Sequence, residues 1–404
     1  MRKRHYYKGE PMDMLHTVAF KEMYPIISCI VKLSSPINVN RLKKAVELTS
    51  VQIPEILCHY QPGKNRWVYS SESNHTVVIQ LGENDDLFQQ PVDFLKDTQL
   101  KIFIKNIPEP IIYMVMSHIF TDGSGFKQFL YLLANNYNHK ELASNFHNQR
   151  SSESIIKALL GNNGEYKSKM DLPDHVLTMP FTNEAPILKK FVDYVGISKD
   201  KFLKINQRVK KYCLTINDVI MAAYIITLSR ETKLTKISIP CPTDLRQFST
   251  SQSLRIANLT GEYGLIISVE NSDNIFKIAQ KIHNQIMNLK SKKTFLQSIP
   301  KLQSIYHKLP VFFVHWIISK HYHVQSVSYT NFGILDRQFY FEDNTILHCL
   351  LTGSFRKVPQ FQLAVSTYSG VCILSFCMIG SHLNKEEGHD IIKNIVILLE
   401  KWSQ

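Results

Sequence analysis

His118 closes an apolar run, Ile111-Ile112-Tyr113-Met114-Val115-Met116-Ser117, and is followed by Ile119-Phe120-Thr121 and then by Asp122-Gly123-Ser124-Gly125. Imidazole changes charge near neutral pH, so a ring fixed at the end of a buried strand can take a proton from a bound hydroxyl or amine. The spacing of His118 and Asp122 occurs by chance in many chains, and its weight comes from context. The apolar run reads as a strand, and Asp-Gly and Ser-Gly read as a tight turn. Phe126, Phe129, Leu130, Leu133 and Tyr137 then share one face of a helix. A strand, a turn and a helix therefore present His118 where a cavity wall would need it. Gly123 lets the chain turn closely, and its N–H is a candidate donor to a developing oxyanion. A simple turn glycine explains it equally well.

Other chemistries have less support. No Gly-x-Ser-x-Gly elbow offers an activated serine, and no His-Glu-x-x-His offers a zinc site. His321 and His323 have strand spacing that puts two rings on one face, and with His118 and Asp122 they outline a conceivable metal site. Paired surface histidines are ordinary, so no metal is expected. Seven cysteines without a Cys-x-x-Cys pair read as reduced thiols, hence a cytoplasmic protein. The basic start Met1-Arg2-Lys3-Arg4 is followed by no signal-peptide core. The longest apolar stretch, near 311–319, is interrupted by His315 and is too short to span a bilayer.

The elements that position His118 follow from patterning. A chain of 404 residues with 44% apolar content is expected to form two domains of about 150–200 residues each. The β-branched run at 24–33 reads as a buried strand. Asn38 caps a helix whose Leu42, Ala45, Val46 and Thr49 face inward. A hairpin turns at Pro62-Gly63, a strand covers 76–81, and another at 100–105 pairs with the strand ending at His118. Periodicity fades from 138 to 186, where a surface connection is expected. Beyond it, a strand at 191–195 precedes a helix at 198–212 and a second helix from Thr215, with Asp218 in its first turn. Strands are expected at 237–240 and 265–269, and a helix at 274–289. Further strands follow at 324–331, 346–351, 361–368 and 371–379, and a last helix is capped by Asn384 with Glu387 at its third position.

Ser117-His118-Ile119-Phe120-Thr121-Asp122-Gly123 resembles the HHxxxDG signature of the condensation-domain and chloramphenicol-acetyltransferase-like acyltransferase superfamily, which includes polyketide-associated acyltransferases and alcohol acetyltransferases. Ser117 replaces the first histidine of the nonribosomal condensation domains, and this leans the likeness toward the stand-alone O-acyltransferases. Asp244-Leu245-Arg246 resembles the family's D-L-R element, Asn258-Leu259-Thr260-Gly261 its N-x-x-G turn, and Ser328-Tyr329-Thr330-Asn331-Phe332-Gly333 its S-N-x-G element. The plant-branch D-F-G-W-G motif is absent. The likeness runs nearly the whole chain, with only the His118 motif sharp.

The resemblance implies an α/β (α+β) fold of two chloramphenicol-acetyltransferase-like halves. Each is a mixed, largely antiparallel sheet packed with helices, and an active-site tunnel lies between them. The division is 1–150 for the N-terminal half, 151–190 for a connecting segment and 191–404 for the C-terminal half. It implies acyl transfer from coenzyme A or a carrier-bound phosphopantetheinyl thioester to a hydroxyl or amine, with His118 as base and no bound cofactor. Asp122 is then architectural and paired with Arg246, because a buried carboxylate without a cation costs several kcal/mol. Thr330, Asn331 and Gly123 are the candidates to contact substrate. The formal net charge of +13 suits a phosphate-bearing donor or an acidic carrier protein, and no dense basic track points to nucleic acid. The rival reading is a catalytically inactive condensation-like module that binds a carrier protein or other partner, which Ser117 keeps open. A metal-dependent hydrolase built on the histidines is a third.

Overall fold

The computed structural model describes residues 6–18, 20, 23–69, 77–139, 148–161, 177–182, 188–249, 253–336 and 338–404. Thr76 and most of the expected connection at 138–186 lie outside the described residues.

Two principal sheets carry the molecule. The first runs in the order Ile346–Thr352, Ile26–Leu33, Ile111–Ser117, Leu100–Lys105, Val78–Gln80, antiparallel except for its last pair. Its central strand, Ile111–Ser117, is buried from Ile112 onward, which its uninterrupted apolar sequence requires. The period-two alternation of a strand divides its side chains. Ile112, Met114 and Met116 join a core with helices Val39–Gln52 and Gly123–His139. Tyr113 and Val115 face the other way, toward Phe355, Ile373 and Cys377 of the second sheet.

The second sheet runs Val327–Leu335, Phe361–Tyr368, Val371–Gly380, Phe355–Lys357, Met23–Tyr24, with Lys189–Ile197 also paired to Val371–Gly380. Helices Ile216–Thr232, Ile275–Ser291 and His382–Ser403 pack against it in a separate core. Each sheet takes a strand from the far part of the chain: Ile346–Thr352 pairs with Ile26–Leu33, and Met23–Tyr24 pairs with Phe355–Lys357. A two-stranded ribbon, Lys236–Asp244 with Thr260–Ser268, projects toward the His118 turn. Among the described residues, no single helix is long and apolar enough to cross a membrane.

Several local expectations hold. Asn38 caps its helix by accepting from the Arg41 N–H, and the four inward residues predicted for that helix are its buried ones. Thr215 and Asp218 form a reciprocal capping box. The last helix differs, because its cap is Ser381. Asn384 sits at the third helical position and accepts from the Ser381 N–H, while Glu387 instead accepts from the Thr182 hydroxyl at 2.6 Å. The stretch from 299 to 321, assigned no element by the sequence reading, forms two helices, Ile299–Lys308 and Val311–His321. His321 therefore ends a helix and His323 follows it, so the strand spacing expected for this pair does not exist.

Candidate active site

The loop from His118 to Asp122 is held on three sides. The His118 N–H donates to the Pro25 carbonyl at 2.9 Å, at the residue where the chain leaves one sheet for the other. Asn258, at the start of the N-x-x-G turn, donates its carboxamide N–H to the carbonyls of His118 at 3.1 Å and Ile119 at 2.7 Å. The Ser117 hydroxyl accepts from the Ile119 N–H, so the residue that replaces the first motif histidine helps to fold the turn.

The hydrogen bonds of Asp122 run to groups other than His118. Asp122 caps the following helix by accepting from the Gly125 N–H at 2.9 Å. Arg246 reaches it from the D-L-R element, Nη1 to Oδ2 and Nη2 to Oδ1 both at 3.0 Å. The Leu259 N–H and Thr260 hydroxyl complete its surroundings at 2.6 and 2.9 Å. Burial pushes the Asp122 carboxyl up, but Arg246 and the two backbone N–H groups outweigh it and hold the pKa below the usual carboxylate value. Arg246 also donates to Asp244 and to the carbonyls of Arg255 and Ala257. Gly125 leaves room for this cluster, since a Cβ there would meet Arg246 Nη2 at 2.9 Å as well as the Thr121 side chain.

Asp122 being engaged elsewhere, His118 has other company. Its ring stacks on His16, with centroids 3.9 Å apart and planes 27° apart. His16 lies on the 3-10 segment Pro11–Thr17. That segment is anchored by Asp13, which takes two contacts of 2.8 and 2.9 Å from Arg150 Nη2. Arg150 also donates to the carbonyls of Phe120 and Ile256, tying the segment to the His118 turn and to the second part of the chain. Burial opposes the Arg150 charge, yet Asp13 and Glu55 outweigh it and keep the guanidinium above its ordinary pKa. His16 and Arg150 were not found in the sequence: His16 sits in a short segment without periodicity, and Arg150 in a polar stretch.

Burial pulls the His118 imidazole below its ordinary pKa and the Arg356 charge adds to this, while its own carbonyl, Asp122 and Asn258 work the other way. His16 is pulled well below its usual value by burial, then by His118 and Arg356. Both rings are therefore neutral at neutral pH, and a neutral imidazole can accept a proton. Nδ1 of His118, Nδ1 of His16 and Oδ1 of Asn258 are buried without a hydrogen-bond partner among the described residues.

The remaining candidates have partners of their own. Gly123 opens the motif helix, where a Cβ would collide with the Phe332 ring at 2.7 Å, so close packing accounts for a glycine there. Asn331 is hydrogen-bonded to Asn217 at 3.3 Å and accepts from the Gly333 N–H at 2.8 Å. Neither Asn331 nor its half-buried neighbour Thr330 is hydrogen-bonded to His118. Among the described residues, no group of three or more His, Cys, Asp or Glu is placed to hold a metal ion. An open groove of about 510 Å³, lined in part by Glu10, Arg66, Tyr306 and His307, contains neither His16 nor His118.

In sequence, no family model and no curated protein matches the chain. In structure, it is similar to polyketide synthase associated protein 5 from Mycobacterium tuberculosis, at 13% identity and a TM-score of 0.67 over 98% of this chain and 99% of that one. It is similar to the first condensation domain of the CDA synthetase, at 11% identity and a TM-score of 0.65 over 100% and 98%. The TRI3 trichothecene 15-O-acetyltransferase from Fusarium sporotrichioides matches at 13% identity and a TM-score of 0.60 over 98% and 95%. The chain thus has the fold of the condensation-domain and chloramphenicol-acetyltransferase-like acyltransferase superfamily, as the His118 motif implied.

Proposed function

We propose that the chain is an acyltransferase that uses a thioester of coenzyme A or of carrier-bound phosphopantetheine and a hydroxyl or amine acceptor. The observation that supports this most is a neutral, half-buried His118 ring where the chain passes between the two sheets, with the neighbouring carboxylate fully engaged by Arg246. His118 accepts the acceptor proton through Nε2 as the oxygen or nitrogen attacks the thioester carbonyl. The tetrahedral intermediate then collapses, the C–S bond breaks, and the imidazolium returns the proton to the leaving thiolate. Such a base contributes roughly 10²–10⁴-fold in rate. In this reading the Gly123 N–H, Thr330 and Asn331 are the groups to meet the acyl carbonyl or the donor. Asp122 and Arg246 keep the turn in shape, and the thioester is a substrate with no resident cofactor required. An acidic carrier protein is the macromolecular donor that the basic chain would attract.

The test is thiol release from a panel of acyl-coenzyme A thioesters in the presence of simple alcohols and amines. His118→Ala should lower transfer by about 10²–10⁴-fold with the thermal midpoint nearly unchanged. A variant that keeps most of the activity shows that His118 is not the base. A wild-type chain that binds a carrier protein but cleaves no thioester belongs to the inactive binding-module reading.

A further inference from the structure

The helix Val311–His321 carries an apolar face that nothing in the described chain covers. Phe312, Phe313 and Trp316 are 59%, 47% and 58% exposed, and Leu309, just before the helix, is 42% exposed. The Phe312 and Phe313 rings lie 4.0 Å apart, so these side chains form one patch. Val314 and Ile318 point the other way, into a small core with Met14 and Leu302. Phe312, Trp316 and Lys320 follow one another at four-residue spacing, which aligns them in a single stripe ending in a cation.

The two helices themselves, and the sequence around them, carry charge of one sign, while Glu10 and Glu153 lie across the groove beside Val311. From 274 to 335 the sequence contains no aspartate or glutamate, while it holds lysines at 277, 281, 290, 292, 293, 301, 308 and 320. Lys301, Lys308 and Lys320 are exposed on the two helices, and Lys64 is exposed on the Pro62–Lys64 turn that packs beside them. A contiguous exposed cluster of large aromatics marks a surface that meets a partner or a membrane. Aromatic side chains with lysines at the border are suited to the boundary of a bilayer, where rings enter the acyl region and the ammonium groups reach anionic headgroups.

We propose that the helix pair Ile299–Lys308 and Val311–His321 docks on an anionic membrane surface through Phe312, Phe313 and Trp316. An acidic protein would satisfy the lysines, but the contiguous aromatic stripe needs an apolar phase that a bilayer supplies together with the negative charge. The face is also mechanically close to the site. Thr17 Oγ1 and His315 Nε2 lie 3.1 Å apart, and Thr17 follows the His16 that stacks on His118. Docking would thus bring the catalytic turn near membrane-borne acceptors, an extension that rests on the acyltransferase reading, whereas docking itself does not.

The experiment is co-sedimentation of the whole chain with phosphatidylcholine vesicles, with and without phosphatidylglycerol. Trp316 fluorescence is followed in parallel and Trp316→Phe is the spectroscopic control. Binding and a blue shift are expected only with phosphatidylglycerol, weakened by salt. Phe312→Ser/Trp316→Ser should reduce binding by roughly tenfold or more at an unchanged thermal midpoint, and Lys308→Glu/Lys320→Glu should abolish the preference for the anionic vesicles. Absence of binding overturns the proposal, as does binding that survives the Phe312/Trp316 change. A dimer whose formation needs the patch, or an acidic protein captured by it without vesicle binding, overturns it too. Vesicle binding with no thioester cleavage leaves docking in place and removes the acyltransferase reading instead.

Discussion

Replacing Asp122 by alanine should destabilise the protein well before it says anything about chemistry. The carboxylate receives both Arg246 nitrogens, the N–H groups of Gly125 and Leu259, and the Thr260 hydroxyl. Breaking a buried pair costs about 3–5 kcal/mol. Two backbone amides also lose their acceptor, each about 1–3 kcal/mol if no water enters. Arg246 keeps Asp244 at 2.9 Å and two carbonyls, which offsets part of this and brings the expectation back to about 3–5 kcal/mol. At about 2.1 cal/mol/K of unfolding entropy per residue, a 404-residue chain loses roughly 4–6 °C of thermal midpoint. Arg246→Ala should lose a similar amount, and the double variant should lose about 2 kcal/mol less than the sum. Thermal or urea unfolding of the three variants measures the cycle. The pKa of Asp122 is lowered in the fold, so its contribution is present at neutral pH and disappears as pH drops below about 4. The gap between wild type and Asp122→Ala should close there. Additive losses, or a silent Arg246→Ala, would refute the pairing. A stable but slow Asp122→Ala would make the carboxylate a catalytic partner of His118 instead.

Two further outcomes concern the stacked rings. His16→Phe should preserve the dry contact with His118 and leave the acid limb of kcat/KM in place, whereas His16→Ala admits water and should move that limb up toward the ordinary imidazole value of about 6.5; equal effects from both would remove His16 from any positioning role. Both histidines have lowered pKa values in the fold, so the unfolded chain binds protons first as pH drops below about 6.5. Stability measured by urea unfolding should therefore fall from that pH downward, and more gently in His16→Phe; a flat profile there shows that the rings are not desolvated.

What could be read in the sequence was what depends on neighbours along the chain. The strand, turn and helix around His118 each need only a few consecutive residues, and so do the Asn38 cap and the Thr215–Asp218 box. The Asp122–Arg246 pair spans 124 positions, and only the resemblance suggested it. The strand at Lys236–Asp244 is longer than expected because Pro240 and Pro242 argue against a strand interior. In a two-stranded ribbon both prolines, two residues apart, can turn their missing N–H to the open edge. The helices at 299–308 and 311–321 were hidden for another reason: the second is apolar on its solvent side, so no amphipathic period marks it.

The strand exchange was the least legible feature, and it bears most directly on the site. No local pattern says that Ile346–Thr352 will lie beside Ile26–Leu33, or that Met23–Tyr24 will join the opposite sheet, because each choice is made by packing between segments some 320 residues apart. Yet Pro25, between those two short strands, is the residue whose carbonyl holds the His118 N–H. His118 is thus fixed at the point where the chain passes between sheets, with Asn258 and Arg246 closing the turn from the ribbon and the loop after it. The two sheets cannot shift against each other without moving His118. A relative movement of the two sheets would have to pivot around this turn and leave it intact.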